Sequence, residues 1–325
     1  MSRLFEALSH LKTEQQAAEV VTPLTIAPPA AVPSMSKQET KTENHSLKVV
    51  HPTAGPLALA QAEPVQEVKE VNEAVQRPAE IVENPAVLAS PSPESHLVAL
   101  TDPSGLGAEK FRALATRFDH LRNQRELRSF QITSSVIDEG KTLVAGNIAV
   151  TLAKYSGSKT LLVEGDLHRP TLANLLGLRE LRGLNHWWSG GDQELGKFVH
   201  RLNGMPLWFL PAGKPCDQPS DILRSARFAR AFVQLATQFE WIVVDSTPML
   251  PIVDVNLWSK LIDGTLLVVR EGLTPIKSLK KGLLALDNPK LVGVVVNDAT
   301  EFDQVNYEGQ YYGGADSREK TRRKT

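Results

Sequence analysis

The chain has 325 residues, with 36 Lys and Arg against 37 Asp and Glu, so its formal net charge is -1. With 42% apolar residues it can form a real core in one large or two ordinary domains. Its charge balance argues against a nucleic-acid binder or a general membrane binder. Cys216 is the only cysteine, which excludes an intramolecular disulfide framework and a cysteine metal cluster and is typical of a cytosolic protein.

The first residues, 1–20, predict a short amphipathic helix. One face of that helix would carry four large apolar side chains, at Leu4, Phe5, Leu8 and Leu11. Such a helix at the end of a long tether is either a docking peptide or a frayed terminus, and docking is favoured because these side chains have no core of their own. The stretch is interrupted by an acid where a signal peptide would be apolar, and no later stretch is apolar enough to span a bilayer, so we expect a cytoplasmic chain.

Residues 21–96 are rich in Pro, Ala and Glu, as in "APPAAVPSM" and "ENPAVLASPSPES". A segment of this composition buries too little apolar surface to offset the entropy of ordering it. We therefore predict a disordered, extended linker.

Residues 97–305 have the pattern of an alternating α/β domain. A helical stretch, "GAEKFRALATRFDHLRNQ", precedes a series of short, nearly continuous apolar runs: "SFQITSS", "KTLLVEGD", "PLWFLPA", "WIVVDST", "GTLLVVR" and "LVGVVVN". Such strands, separated by helices, indicate a parallel sheet covered by helices on both faces. Ligands of these sheets bind at the carboxyl ends of the strands.

The stretch "SSVIDEGKT" follows the first apolar run and resembles a phosphate-binding loop, GxxxxGK[ST]. Gly140, Lys141 and Thr142 occupy its last three positions, and Ser135 stands at the first glycine position. In such a loop backbone N–H groups surround phosphate, the lysine reaches the β- and γ-oxygens, and the hydroxyl binds Mg²⁺. The alternative is an ordinary strand-to-helix turn with an exposed lysine.

Acidic residues at two further strand ends favour the phosphate-binding interpretation. Glu164 and Asp166 end "LLVEGD", and Asp245 ends "WIVVD". A single acid at a strand end usually caps the next helix, but bound Mg²⁺ needs a carboxylate oxygen beside the hydroxyl of Thr142. Together with the loop, these acids predict a P-loop NTPase-like domain that binds the phosphates of a nucleotide with Mg²⁺.

In the order of these elements, residues 105–315 resemble the bacterial tyrosine kinases of capsule and exopolysaccharide export. "AEKFRAL" is similar to that family's E-x-x-R helix, "ITSSVIDEGKT" to its loop TSxxPGEGKS/T, "LLVEGDLHRP" to LLIDADLRRP, and "WIVVDSTPMLPIVD" to DYVIIDTPPVLPVTD. A tyrosine cluster, "NYEGQYYGG", follows in the family's order. The resemblance implies an ATP-dependent protein-tyrosine autokinase that regulates polysaccharide polymerisation and export.

The resemblance implies roles for individual residues. Lys141 would neutralise the β- and γ-phosphates, and Glu164 would take the proton of the attacking tyrosine. The magnesium ligands would be Thr142, Asp166 and Asp245. The other nucleotide contacts would come from Ser135, Asp138, Glu139, Gly140, Leu143 and Asn297. The phosphate acceptors would be Tyr307, Tyr311 and Tyr312, in a flexible basic tail over residues 306–325.

The resemblance also implies partners. These are an integral-membrane polysaccharide co-polymerase or chain-length regulator and, through the helix that carries Glu109 and Arg112, further copies of the chain; no nucleic acid is expected. The basic end "SREKTRRKT" would favour the inner face of the plasma membrane.

Several positions depart from the family pattern. Ile137 and Asp138 replace Pro-Gly in the loop, Glu164 is one methylene longer than the family's Asp, His168 replaces Arg, and Ala115 replaces the third member of the family's E-x-x-R-x-x-R pattern. These changes keep a second interpretation open, a nucleotide-sensing regulatory subunit that has lost phosphate transfer. A partition-type ATPase is a third interpretation, less favoured because Val136 stands where those proteins carry a second lysine.

Overall fold

In a computed structural model of the chain, the structure describes residues 21–24, 85–178, 181–191, 193–214, 218–250, 254–286 and 290–299. The predicted helix over residues 1–20, the tail over residues 306–325 and most of the predicted linker lie outside the described residues.

One sheet runs through the described part of the chain. Its strands are β1 (Val21–Leu24), β2 (Ser129–Ser134), β3 (Thr160–Glu164), β4 (His200–Arg201), β5 (Leu207–Leu210), β6 (Trp241–Asp245), β7 (Gly264–Arg270) and β8 (Leu291–Asn297). In space they follow the order β1-β8-β7-β2-β6-β3-β5-β4. The pairs are parallel except β4 with β5, as the alternation of apolar runs and helices predicted.

Helices cover both faces of the sheet. They are α1 (Val98–Thr101), α2 (Leu106–Gln124), α3 (Lys141–Lys154), α4 (Leu172–Leu175), α5 (Leu184–Ser189), α6 (Pro219–Arg224), α7 (Ala226–Ala236), α8 (Asp254–Ser259) and α9 (Ile276–Ala285), with short 3₁₀ helices at Pro93–Ser95 and Leu195–Phe198. None of the helices in the described ranges is both long and apolar enough to cross a lipid bilayer. This arrangement is the P-loop NTPase-like fold that the sequence predicted.

Aromatic side chains fix helix α2 against the centre of the sheet. Phe118 of α2 stacks on Phe130 of β2 with ring centroids 4.2 Å apart, and Trp241 of β6 meets Phe130 edge-on. All three side chains are almost fully buried. Burying one such side chain stabilises a fold by about 1.5–3 kcal/mol, so this cluster anchors the helix that precedes the loop strand.

Helix α3 begins at the predicted loop and is buried along most of its length, from Val144 to Ala153. Its Asn147 side chain ties it to the preceding segment: Oδ1 accepts the N–H of Ala99 at 3.0 Å, and Nδ2 donates to the carbonyl of His96 at 3.1 Å. A buried amide with both groups bonded is a satisfied structural contact. The helix that holds the loop is thereby fixed to the body of the domain.

Two parts of the predicted linker have a place in this fold. Strand β1 pairs with β8 at one edge of the sheet. At the C-terminal end of the predicted linker, the N–H of Val87 donates to the carbonyl of Arg201 at 2.8 Å, and the carbonyl of Val87 accepts the N–H of Asn203 at 2.8 Å. The N–H of Ser90 donates to the carbonyl of Leu176 at 3.1 Å. This extended segment therefore satisfies backbone groups on the domain surface, and the predicted start of the domain at residue 97 stays a prediction.

Candidate functional site

The loop between β2 and α3 contains the predicted phosphate-binding motif. Gly140 precedes α3 with φ of 92°, and a Cβ atom there would lie 2.3 Å from Nδ2 of Asn297. Glycine is therefore needed for both conformation and space. Asp138 also has a left-handed backbone, with φ of 64°, which Asp tolerates better than most residues. The loop thus makes a left-handed turn without most of the usual glycines.

Glu139 and Asn297 support the loop from its buried side. The carboxylate of Glu139 accepts the N–H of Val136 at 2.9 Å and the hydroxyl of Thr274. Burial raises the pKa of Glu139, and these hydrogen bonds partly oppose the shift. Nδ2 of Asn297 donates to the carbonyl of Glu139 at 3.0 Å. The predicted contacts of Glu139 and Asn297 with a nucleotide stay predictions.

Lys141 lies between two of the predicted acids. Its Nζ is 2.9 Å from Oδ2 of Asp166, 3.6 Å from Oδ1 of Asp245 and 3.3 Å from the hydroxyl of Thr142. Burial alone would lower the pKa of Lys141, but the charges of Asp245 and Asp166 together raise it. The structure therefore brings the predicted lysine, hydroxyl and two acids together at the carboxyl edge of the sheet.

The carboxylate of Asp245 is 1% exposed, and neither of its oxygens accepts a hydrogen bond from a residue that the structure describes. Burial raises its pKa to about 6, although the charge of Lys141 opposes the shift. The hydroxyls of Ser135 and Thr247, at the neighbouring strand ends, are also buried without a partner in the described ranges. Unpaired buried oxygens are costly, and oxygens are the ligands that Mg²⁺ prefers, so this set fits a magnesium ion with its phosphates.

Asp166 leads into the segment that follows β3. Its Oδ1 accepts the N–H of Arg169 at 3.0 Å, while Oδ2 faces Lys141. Next to it, Nε2 of His168 lies 3.0 Å from Oδ2 of Asp254, whose other oxygen accepts the hydroxyl of Ser220 at 2.6 Å. His168 is therefore fixed to helix α8. Sequence reasoning missed Asp254 and Ser220, although Asp254 is the last residue of "WIVVDSTPMLPIVD".

Glu164 points away from Lys141. Its Oε1 accepts the N–H of Ala173 at 3.0 Å, and its Oε2 accepts the N–H of Ala212 at 2.9 Å. The residue is 1% exposed, and burial raises the pKa of its carboxyl while the backbone N–H groups oppose the shift. Glu164 thus joins the start of α4 to the chain after β5, a contact that supports the acidic segment from within.

Gly165, between Glu164 and Asp166, lies against a buried tryptophan. Nε1 of Trp258 donates to the carbonyl of Gly165 at 3.2 Å, and a Cβ on the glycine would lie 3.0 Å from the indole ring. The acidic segment is therefore in direct contact with Trp258, which is fully buried.

A cavity of about 570 Å³ opens over this cluster. It is lined by Ile137, Asp138, Gly140, Lys141, Thr142, Leu143, Asp166, His168, Arg169, Thr171, Leu175, Pro248 and Leu250. Most of the predicted loop residues and one of the acids face it, whereas Glu164 does not line it.

The predicted self-association helix has its charged residues engaged within the chain. Arg112 forms an ion pair with Glu109 and donates to the carbonyl of Pro103 at 2.8 Å. Ala115, the third position of the pattern, is fully buried and faces the core. The predicted phosphate acceptors, Tyr307, Tyr311 and Tyr312, lie outside the described residues.

No protein-family model matches the chain. The chain is 27% identical over 226 residues to the tyrosine-protein kinase YwqD of Bacillus subtilis, covering 94% of that protein. It is 31% identical over 206 residues to the succinoglycan biosynthesis transport protein ExoP of Rhizobium meliloti, covering 62% of this chain and 26% of ExoP. The solved kinase domain of Escherichia coli tyrosine kinase ETK has the same fold, with a TM-score of 0.59 and 24% identity over 65% of this chain and 83% of that one.

The relatives and the fold agree with the order of motifs in the sequence, from the loop through the two acidic strand ends. The chain is therefore similar in sequence to bacterial tyrosine-protein kinases, and it shares the P-loop NTPase-like fold of their solved kinase domains.

Proposed function

We propose that the chain is an ATP-dependent tyrosine autokinase that regulates polysaccharide polymerisation and export. The observation that carries the proposal is the buried cluster of Lys141, Asp166 and Asp245 at the end of the loop, in a chain whose relatives include a tyrosine-protein kinase and a succinoglycan transport protein. Such a cluster provides both a cation for phosphates and carboxylates for a metal.

Lys141 and Thr142 would hold the phosphates of ATP together with the loop N–H groups from Asp138 to Leu143. The magnesium ligands would be the hydroxyl of Thr142 and the carboxylates of Asp166 and Asp245, which fit because the oxygens of Asp245 are buried and accept no hydrogen bond within the described ranges. Bound Mg²⁺ would neutralise charge on the phosphate oxygens.

In the transfer step, the tyrosine Oη forms a bond to the γ-phosphorus. The bond from that phosphorus to the oxygen bridging the β- and γ-phosphates breaks, and ADP leaves with its electron pair. The proton of the tyrosine must pass to a base within hydrogen-bond reach. The resemblance assigns this proton to Glu164, but both oxygens of Glu164 already accept backbone N–H groups, whereas Asp166 lines the cavity. We therefore assign a positioning role to Glu164 rather than the role of the base.

Transfer between two copies of the chain is the proposed route. The tail leaves β8 at Asn297, ten residues before Tyr307, and an extended chain spans at most about 3.5 Å per residue. Return to the chain's own site is thus sterically tight, while a neighbour's site needs no sharp reversal. Because Arg112 is engaged within its own chain, contact between copies would depend on high local concentration or on a membrane partner.

The expected partner is an integral-membrane co-polymerase or chain-length regulator, which would hold copies of this chain at the inner face of the plasma membrane. The basic end of the tail supports that location, since each Lys or Arg near an anionic surface contributes about 1 kcal/mol. ATP and Mg²⁺ remain the proposed substrate and cofactor.

The alternative, a nucleotide-sensing subunit without transfer, is favoured by two observations. Asp138 adds a negative charge to the wall of the cavity, and Glu164 is engaged with the backbone. The two functions differ in whether phosphate reaches the tail.

The test mixes a Lys141→Met chain with a chain in which Tyr307, Tyr311 and Tyr312 are all replaced by Phe. ATP and Mg²⁺ are added, and phosphotyrosine is located by mass spectrometry. Label on the tail of the Lys141→Met chain is the expected result, because that chain can only receive phosphate. A wild-type chain that stays unlabelled when tethered at high density with its membrane partner would exclude the kinase and leave the nucleotide-sensing subunit.

A further inference from the structure

A second cavity, of about 660 Å³, shares a wall with the candidate site. The common wall is the segment over residues 164–175. Its members that face the first cavity are Asp166, His168, Arg169, Thr171 and Leu175. Its members that face the second cavity are Glu164, Pro170, Ala173 and Asn174. A ligand in the second cavity would therefore lie one chain segment away from the phosphates.

The rim of the second cavity is cationic. Arg182 and Lys214 line it and are exposed. His186 also lines it, and its Nδ1 accepts the N–H of Gly183 at 3.2 Å, which leaves Nε2 with the proton of the neutral ring. Burial and the charges of Arg182 and Lys214 lower the pKa of His186. The cavity thus offers two cations and a neutral donor.

The rest of the described lining is mostly apolar, with Leu178, Leu181, Pro170 and Pro211. The acid among the described lining residues, Glu164, has each of its carboxylate oxygens bonded to a backbone N–H. A ligand suited to this lining combines an apolar or aromatic group with negative charge.

We propose that the second cavity docks the acidic tyrosine segment, residues 301–312, of the C-terminal tail of a neighbouring copy of the chain. This segment reads "EFDQVNYEGQYY": it has three acids, four aromatic residues and no Lys or Arg. Its charge is opposite to that of the rim, and its aromatic side chains match the apolar lining. The docking deepens the proposed function by supplying the tail to the site, but binding itself requires no phosphate transfer.

The spacing of the tyrosines suits two adjacent cavities. Tyr307 and Tyr311 are four residues apart, a span of at most about 14 Å in extended chain. One aromatic side chain can occupy the second cavity while the other crosses the shared wall toward the nucleotide. The second cavity would therefore select which tyrosine is presented for transfer.

The test uses a fluorescently labelled synthetic peptide of residues 300–313. The receptor is the full-length chain with residues 301–312 replaced by a Gly/Ser sequence of equal length, so that its own tail does not compete. Fluorescence anisotropy compares the Arg182→Gln/Lys214→Gln receptor with a matched control, Arg230→Gln/Lys260→Gln, in which two exposed cations elsewhere are removed. We expect at least roughly fivefold weaker binding for the first pair and unchanged binding for the control.

Equal affinity in both receptors would overturn the proposal, as would equal binding of a scrambled peptide of the same composition. Absence of peptide binding, with vesicles of anionic phospholipid bound through Arg182 and Lys214 instead, would assign the rim to a membrane surface and also overturn it. A Lys141→Met receptor should bind the peptide normally. Peptide binding by a chain that transfers no phosphate to its tail even when tethered at high density with its membrane partner would refute the kinase and leave the docking site standing.

Discussion

The ammonium of Lys141 lies 2.9 Å from the carboxylate of Asp166 and 3.6 Å from the buried carboxylate of Asp245. The lysine that should reach the phosphates therefore offsets part of the negative charge of the two acids. When phosphates and Mg²⁺ enter, the lysine can exchange these contacts for phosphate oxygens while the acids exchange theirs for the metal.

Lys141→Ala should weaken binding of a fluorescent ATP analogue with Mg²⁺ by at least about tenfold, because a charge-assisted hydrogen bond of about 1.5–3 kcal/mol is lost. Lys154→Ala, at the exposed far end of the same helix, is the matched control and should bind normally. Equal affinities in the two folded variants would remove Lys141 from the phosphate site.

Glu164→Asp restores the family's residue and distinguishes a positioning role of this side chain from the role of general base. The shorter side chain cannot reach the N–H groups of both Ala173 and Ala212, and one unsatisfied buried N–H costs about 1–3 kcal/mol. We expect a lower melting temperature and weaker nucleotide binding, both measurable without kinase activity.

For a positioning residue, the pH profile of any remaining activity should keep its shape in Glu164→Asp and Glu164→Gln. A general base would behave differently: Glu164→Asp would keep or gain activity at normal stability, and Glu164→Gln would lose the acidic limb of the profile, where protonation of the base lowers the rate.

Asp245 should make nucleotide binding depend on pH. Its folded-state pKa is raised to about 6, so the carboxyl becomes protonated as pH falls through that value, and a protonated carboxyl is a poor magnesium ligand. Affinity for the ATP analogue with Mg²⁺ should fall by up to about tenfold per pH unit below this value. Titrations between pH 5 and 8 check this, and Asp245→Asn should bind weakly with this dependence removed. A wild-type affinity that is flat across the range would contradict the assignment.

The raised pKa of Asp245 has the opposite effect on the stability of the chain without nucleotide, which decreases rather than increases with pH. Because the folded state holds the proton more tightly than the unfolded state, the contribution of Asp245 to the free energy of unfolding is largest below its unfolded value of 3.8. That contribution falls as pH rises through about 6. Thermal unfolding of the wild type against Asp245→Asn measures it.

The N-terminal boundary can be tested with two truncations. A chain that begins at residue 85 keeps the hydrogen bonds of Val87 and Ser90, whereas one that begins at residue 97 loses them and also the contact of Asn147 with His96. The shorter chain should be less stable by about 1–3 kcal/mol, measured by urea unfolding. Limited proteolysis of the full chain should likewise leave a fragment that starts near residue 85. Equal stability of the two truncated chains would show that the folded domain starts at residue 97.

Much of the fold could be predicted because apolar runs such as "WIVVD" become buried parallel strands whose ends meet at one edge. That rule brought Lys141, Asp166 and Asp245 together from positions far apart in the sequence. The direction in which a side chain points at a strand end could not be predicted from the same rule. Glu164 and Asp166 differ by two residues at the end of the same strand, yet only Asp166 faces the phosphate cavity, because the N–H groups of Ala173 and Ala212 hold Glu164.

The support of the loop could not be predicted from its motif. Thr274 lies in a connection after β7, 135 residues from Glu139, and nothing in its local sequence indicates that its hydroxyl would contact the loop. Likewise, the linker boundary was placed by composition, and composition does not show which backbone groups of a Pro-rich segment find partners on a neighbouring surface.

The contact between Trp258 and Gly165 makes an optical experiment possible. An indole that donates to the carbonyl between Glu164 and Asp166, in a fully buried position, has an emission spectrum set by the local field of that segment. Binding of Mg²⁺ or phosphates at Asp166 changes this field without adding a label to the protein. Trp258→Phe would keep most of the apolar area while removing the donor, so the difference in emission between the unmodified chain and this variant separates the signal of Trp258 from that of the other four tryptophans.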